Sequence, residues 1–306
     1  MKPFPPLVVS VILNTNRRED TLACLESLEQ SNYPRHRILV LDNRSTDGSI
    51  AAIHARFPQV ELIELSENKG YTGNNNVGIL TALEMGADWV FVLNEDITIA
   101  PDALSQLMET AEADEKIGII GPLVLHADEP QTIQSAGGLL NHKWTAYHRG
   151  QNEADTGQYS QPEPVDWISG CGILVRRAVI QQIGMLDERL FYYWEETEWC
   201  MRAARGGWKI VIEPRARLWH KGVQRDYRPG PNVTYYLTRN RLMAFQKHHA
   251  SFALWAAAYW TAARTLLSWS IRPKWRGKRE HRNALWQGLL DFWQGRTGMR
   301  PSNTRS

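Results

Sequence analysis

Between residues 7 and 99 the chain alternates four times between a short β-branched run and a helix-spaced segment. Each run ends in polar residues. Leu7-Val8-Val9-Ser10-Val11-Ile12-Leu13 precedes Leu22, Leu25 and Leu28 at helical spacing, stopped by Tyr33-Pro34. Arg37–Leu41 is a second buried run. It ends in Asp42-Asn43-Arg44-Ser45-Thr46-Asp47-Gly48-Ser49, whose hydroxyls and carboxylates suit the cap of a helix starting near Ser49. A third strand is expected over Val60–Leu65, a helix over Asn75–Met85, and a fourth strand over Trp89–Leu93. This alternation predicts an α/β class, doubly wound sheet with its functional loops at the carboxyl ends of the strands. The first strand turns at Asn14-Thr15-Asn16-Arg17 with no G-x-G-x-x-G, and no Walker loop occurs, which disfavours a dinucleotide dehydrogenase and a P-loop NTPase.

Beyond Ile99 the pattern loosens. A helix is expected over Pro101–Asp114, a strand over Ile117–Ile120, and a long Gly- and His-bearing loop region over His126–Glu163, suited to substrate-specific loops. A short strand follows over Trp208–Ile212, and from about Val223 the chain reads as helical. The expected division is a catalytic domain over 1–225 and a basic, Trp-rich helical extension over 226–306. Cys24, Cys171 and Cys200 are widely spaced and form no C-x-x-C pair, so a reducing, cytoplasmic setting is expected. The opening Met1–Pro6 shows none of the regions of a signal peptide.

Charge is distributed unevenly. From Arg264 to Ser306 ten Lys/Arg stand against two acids, leaving +8 there and −6 over the rest of a chain of net charge +2. Six of the thirteen tryptophans lie beyond residue 250. Tryptophan beside Lys/Arg suits a membrane interface or a nucleic acid, and no nucleic-acid-binding motif accompanies the charge. Phe252–Ile271 carries Thr261, Arg264, Thr265 and Ser268 on one helical face, opposite Trp, Leu and Tyr. A helix lying in an anionic membrane surface fits that stripe better than one crossing the bilayer; the alternative is a helix packed on the catalytic body.

Three segments carry candidate chemistry. Asp42, Asn43, Asp47, Asn94, Glu95 and Asp96 follow strand ends, which gathers them on one rim. Asp96 could hold Mg²⁺ or Mn²⁺ together with a substrate phosphate, or cap the following turn. In the loop Asn68-Lys69-Gly70-Tyr71-Thr72-Gly73-Asn74-Asn75-Asn76-Val77-Gly78, glycines allow close backbone approach and amides suit ribose or phosphate. In Phe191–Arg202, Glu195, Glu196 and Glu198 stand beside aromatics, so one desolvated carboxylate could act as a general base; alternatively the cluster is an acidic first turn with a Glu198–Arg202 surface pair. Cys200 reads as a buried small residue, and His220, alone after its strand, as structural unless Asp96 holds a metal.

Together, Val11–Asn16, Asp20–Leu28 and Val40–Ser49 resemble the opening of family 2 glycosyltransferases, and in particular the bacterial rhamnosyltransferase-like branch. The Asn68–Gly78 loop, Leu93-Asn94-Glu95-Asp96, Ser169-Gly170-Cys171-Gly172 with Arg176-Arg177, and Glu195-Glu196-x-Glu198-x-Cys200-x-Arg202 recur in the family's order, so the likeness covers about residues 7–247. The resemblance implies a GT-A fold, a nucleotide-diphosphate sugar donor linked to dTDP, UDP or GDP, a divalent cation, and inversion at the anomeric carbon. By position Asp42 resembles the family's base-recognising aspartate, Asp96 its metal-binding aspartate and His220 the late histidine of the metal site. Glu196, preceded by Glu195, stands where the family places its catalytic base. Asn14, Thr15, Asn16, Asn43, Asn68, Lys69, Gly70, Asn75, Asn94 and Glu95 complete the expected donor site. Three positions depart from the pattern: Asn94-Glu95-Asp96 replaces Asp-x-Asp, Glu196 replaces Asp, and Asn74 stands where glycine is usual.

The expected activity is transfer of a sugar, rhamnose by analogy with the branch, to a hydroxyl of a cell-surface polysaccharide or lipid-linked acceptor, on the inner face of the cytoplasmic membrane. The competing expectations are a sugar-phosphate nucleotidyltransferase, which would need glycines that Asn14-Thr15-Asn16 lacks, and a non-catalytic nucleotide-sugar-binding protein.

Overall fold

The computed structural model describes residues 4–222 and 228–301. The expected boundary at 225/226 lies outside these residues. The alternating first third is β1 (Val8–Asn14), α1 (Arg18–Glu29), β2 (His36–Asp42), α2 (Ser49–Arg56), β3 (Glu61–Glu64), α3 (Gly70–Glu84) and β4 (Trp89–Asn94). These four strands are parallel, in the order β3-β2-β1-β4. Their apolar runs are continuous because helices cover both faces. Val8 and Ile12 of β1 pack with Leu22, Leu25 and Leu28 of α1 in one core, whereas Val9 and Val11 join Ile79 and Ala82 of α3 in the other. A Cβ on Gly78 would run into the side chains of Val11 and Leu41, so that glycine sets how closely α3 lies on the sheet.

The chain continues through β5 (Ile97–Ile99), α4 (Ala103–Ala113), β6 (Ile117–His126), β7 (Ile133–Ser135), β8 (Gly138–Leu140), β9 (Ala146–His148), β10 (Glu163–Pro164), β11 (Gly172–Arg176), α5 (Arg177–Ile183), α6 (Glu195–Arg205) and β12 (Lys209–His220). Strand β11 inserts antiparallel between β4 and β6, and β12 runs parallel to β6, making the sheet mixed. The carboxyl ends of β1, β2, β4 and β12 and the amino end of β11 therefore meet on one rim.

Several sequence boundaries are corrected. The helix expected from Asn75 begins at Gly70, because Asn68 and Asn74 side chains take the backbone N–H groups of Gly70 and Lys69 and start it early. Strands expected to end at Ile120 and Ile212 run on to His126 and His220, pairing with each other and with β5. The 126–163 region is not all loop: β8 and β9 form a small hairpin, and β7 and β10 add to the main sheet. Each has only two or three residues, too few for periodicity to register.

The chain ends in α7 (Pro231–Lys247), α8 (Phe252–Ile271) and α9 (Arg279–Trp293). Helix α8 packs on the other two through Leu254, Trp255, Ala258, Tyr259, Ala262 and Leu266, against Leu242, Phe245, Leu285 and Leu289. Its free face differs from expectation. Thr261 and Thr265 flank a groove beside α7, while the outward row is apolar: Phe252 is 87% exposed, Trp260 71%, Leu267 62% and Ile271 66%. The packed row and the outward row are both apolar, so the four polar residues mark a flank between them. Among the described residues no helix is long and apolar enough to cross a membrane.

Candidate active site

The rim opens into a cleft of about 610 Å³. The sheet delivers Thr15 after β1, Asn43 after β2, Asn94 at the end of β4, and Glu95 and Asp96 just beyond it. Gly170 and Cys171 come before β11, and His220 ends β12. Of the residues singled out in the sequence, Thr15, Asn43, Asn68, Gly70, Asn94, Glu95, Asp96, Glu195, Glu196 and His220 line the cleft. Asn14, Asn16, Asp42, Lys69 and Asn75 do not.

Asn14 and Asp42 are wholly buried and joined side chain to side chain at 2.7 Å; the second Asp42 oxygen accepts from the Ser45 N–H at 2.7 Å. Asn16, with a left-handed backbone (φ 52°), accepts from the Thr46 N–H. Lys69 reaches Glu67 at the surface. Asn75 lies within α3, its amide donating to the Tyr71 carbonyl one turn back. Asn76, buried beside it, ties α3 to Leu186 and Glu188, so part of the asparagine content is structural. Asn43 Oδ1 is buried and unpartnered at the edge of the cleft, as a group awaiting a donor would be.

At one end of the cleft, Asp96 Oδ1 is 3.1 Å from His220 Nε2. Gln134 Oε1 stands 2.8 Å from Nδ1 and the Asn94 amide nitrogen 3.3 Å from Nε2, so the ring is held from both sides. The carboxylate and the imidazole thus stand side by side on the cleft wall. Burial would raise the Asp96 carboxyl, but the His220 hydrogen bond and charge, with Arg17 3.5 Å away, outweigh it and keep it below the ordinary range. A Cβ on Gly222 would collide with Asp96 Oδ2 and crowd His220, so that glycine keeps the space open. These donors fit a hard or borderline divalent cation that completes its shell with other oxygens. Among the described residues no group of three or more His, Cys, Asp or Glu converges, so protein supplies only part of such a shell.

At the other end, Glu195 and Glu196 open α6, each with Oε2 buried and without a partner. Burial, reinforced by the neighbouring Glu196, holds Glu195 well above its ordinary range, and burial pushes Glu196 up to about 7. The pair therefore retains a proton near neutrality, the condition for one carboxylate to take up or give a proton there. Tyr71, donating to the Gly170 carbonyl at 2.8 Å, packs beside them. Glu198 turns away. It is buried among Arg202 (2.9 Å), Lys247 (2.9 Å) and His248 (3.1 Å), so the pair expected at the surface is an internal network joining α6 to the end of α7. Cys200 is buried and its thiol is pushed up to about 12 by burial, an inert core residue as expected.

Two further contributors escaped the sequence reading. Arg17, which also lines the cleft, places its guanidinium 3.5 Å from Asp96 and 3.9 Å from Glu95. Arg239 and Asn240 of α7, both wholly buried, hold the segment that presents the carboxylate pair. Phe191, Tyr193 and Trp194 all adopt left-handed backbone angles (φ 66°, 66° and 76°), which non-glycine residues avoid. The Asn240 amide donates to the carbonyls of Leu190, Tyr192 and Tyr193 at 2.8–2.9 Å, and Arg239 to that of Leu190 at 3.0 Å. No periodicity could have announced an Asn–Arg pair acting some fifty residues away.

The model of glycosyl transferase family 2 matches residues 10–184, more than half of the chain. The chain belongs to that family. Along its length it is similar to an N-acetylglucosaminyl-diphospho-decaprenol L-rhamnosyltransferase of Mycobacterium tuberculosis, 29% identical over 274 residues, covering 81% of this chain and 83% of the relative. It is also similar to the dTDP-rhamnosyl transferase RfbF of Shigella flexneri, 27% identical, covering 81% and 82%. Among solved structures it resembles the mannosyltransferase PcManGT of Pyrobaculum calidifontis in complex with GDP-Man and Mn²⁺, with a TM-score of 0.60, 14% identity, and coverage of 96% of this chain and 88% of that one. The fold is thus of the GT-A kind, and the protein is a glycosyltransferase of the rhamnosyltransferase-like branch.

Proposed function

We propose that the protein transfers a sugar, rhamnose, from a nucleotide-diphosphate donor to a hydroxyl of a lipid-linked saccharide acceptor, with inversion. The observation that carries this reading is the pair of unpartnered carboxylates, Glu195 and Glu196, sharing one cleft with Asp96 and His220. The relatives named for L-rhamnosyl and dTDP-rhamnosyl transfer support the sugar, and the one named for a diphospho-decaprenol acceptor supports the lipid link. A donor linked to dTDP fits the second of these; UDP and GDP are the competing nucleotides.

Thr15, Asn43, Asn68, Asn94 and Glu95 line the donor side. Asp96 and His220 would hold Mg²⁺ or Mn²⁺, the latter present in the mannosyltransferase structure that the fold resembles. Such an ion supplies positive charge against the departing diphosphate. Arg17 adds a guanidinium at the same end. Glu196 takes the acceptor hydroxyl proton while the acceptor oxygen bonds to the anomeric carbon and the carbon–oxygen bond to the diphosphate breaks. General-base action of this kind is worth about 10²–10⁴-fold. Glu195, held above its ordinary range by burial and by the neighbouring Glu196, keeps the two carboxyls from ionising together. The outward apolar row of α8, followed by Arg272, Lys274, Arg276, Lys278 and Arg279, suits peripheral attachment to an anionic membrane on the cytoplasmic side.

Thermal-shift titration with dTDP, UDP and GDP, with and without Mn²⁺, tests the donor side. Binding stabilises only the folded state, so the native chain should show a metal-dependent rise with one nucleotide that is lost in Asp96→Ala. No rise with any of the three would remove the donor assignment.

A further inference from the structure

Beside the cleft, and outside every role given above, lies a second cavity of about 350 Å³ between α7, α8 and β9. Its walls are mostly apolar, with Trp194, Leu242, Ala258 and Leu285 among them, and one guanidinium, that of Arg241, enters it. Arg241 is fixed before any ligand arrives. It donates to the Lys143 carbonyl and lies over the Phe245 ring at 5.0 Å. Its Nε is buried without a partner, and among the described residues no carboxylate pairs with it. Burial lowers its pKa, which marks a charge held away from water. A half-buried guanidinium beside apolar walls, with no carboxylate partner among the described residues, is suited to pair with an anion.

The groove and the cleft share their dividing wall. On β9, Ala146 faces the groove while His148, two residues on and on the same side of the strand, faces the cleft, a step of about 7 Å. On the other segment Trp194 lines the groove, and the next two residues, Glu195 and Glu196, line the cleft. The far side of the groove is α8, whose opposite face carries the exposed apolar row. A ligand spanning both spaces would be sugar at Glu196, anionic at Arg241 and hydrocarbon beyond.

We infer that this groove binds the hydrocarbon chain of a prenyl-diphosphate-linked acceptor, with Arg241 pairing to its phosphate. The inference rests on the reading that the acceptor is lipid-linked and gives that lipid a place in the chain. The alternative occupant, bulk bilayer, would contact the outer face of α8 and have no use for a guanidinium inside the groove.

The probe is farnesyl diphosphate below its micelle concentration, titrated calorimetrically into the native chain without nucleotide, beside farnesol and inorganic pyrophosphate. The diphosphate should bind at least tenfold more tightly than either control. Thr261→Trp, at the exposed rim of the groove, should weaken it about tenfold or more by filling the space. Arg241→Gln should erase the advantage over farnesol. Both variants should keep the native thermal response to nucleotide, so failure of the groove is distinguishable from failure of the donor site. The inference is overturned if farnesyl diphosphate binds no better than pyrophosphate, if Thr261→Trp leaves its affinity unchanged, or if nucleotide displaces it together with pyrophosphate, which would put it in the cleft.

Discussion

Replacing Glu196 by glutamine should make the protein more stable and far less active. In the folded chain burial moves this carboxyl from an ordinary 4.5 to about 7. At about 1.36 kcal/mol per pH unit, the difference corresponds to roughly 3 kcal/mol as an upper bound. The folded state holds a proton that the unfolded chain has released between those values. Stability is therefore fully present below about pH 4.5, falls as pH rises, and levels off above about 7. Glutamine carries no charge to desolvate, and Oε2 has no protein partner whose hydrogen bond would be lost. Melting curves of native and Glu196→Gln chains should nearly coincide near pH 5 and separate near pH 8, the variant melting higher by on the order of 5 °C. Turnover of the same variant should fall about 10²–10⁴-fold with nucleotide binding retained. A structural carboxylate would give the reverse pattern of lost stability. Equal melting temperatures at both pH values would refute the desolvation argument, and unchanged turnover would remove Glu196 as the base.

Two other outcomes follow from the C-terminal helices. Asn240→Ala takes the donor from the partly buried Tyr192 and Tyr193 carbonyls, at up to about 1–3 kcal/mol each, while Leu190 keeps its bond from Arg239, so the melting temperature should drop; turnover should fall more than donor affinity, because the loop it frees presents Glu195 and Glu196 and not the Asp96 end. A loss in nucleotide affinity as large as that in turnover would contradict this. Trp260→Glu with Leu267→Glu places charge on the outward row of α8, and should abolish sedimentation with vesicles containing anionic lipid while leaving the melting temperature unchanged. Continued sedimentation would show that the row is not the contact.

What the sequence disclosed followed from how many residues carry each signal. Strands β1, β2 and β4 are buried on both faces, so their composition alone marks them, and their carboxyl ends bring Asn94, Glu95 and Asp96 to the rim as expected. The Asn68–Gly78 segment misled because asparagine and glycine are loop residues by propensity. Here Asn74 caps a helix, Asn76 ties it to the loop before α6, and Gly78 lets it lie close to β1, so tertiary contacts override that propensity. The polar flank of α8 was likewise visible, but only the position of α7 and α9 shows which of its two apolar faces is covered.

The Glu195–Glu196 end of the cleft was least legible, and its dependence on α7 explains why. Glu195 and Glu196 stand out as acids among aromatics, yet their presentation depends on three left-handed residues that no local sequence stabilises. The compensation comes from Arg239 and Asn240, and a second bond between the two elements comes from Lys247 and His248 on Glu198. The same helix sends Arg241 into the neighbouring groove, one residue after Asn240. Occupation of that groove and alignment of the carboxylates are thus carried by adjacent residues on one turn of α7. A ligand that binds Arg241 more strongly when the loop is aligned would shift the population toward the aligned loop by the same factor that alignment raises its affinity, since linkage between binding states is reciprocal.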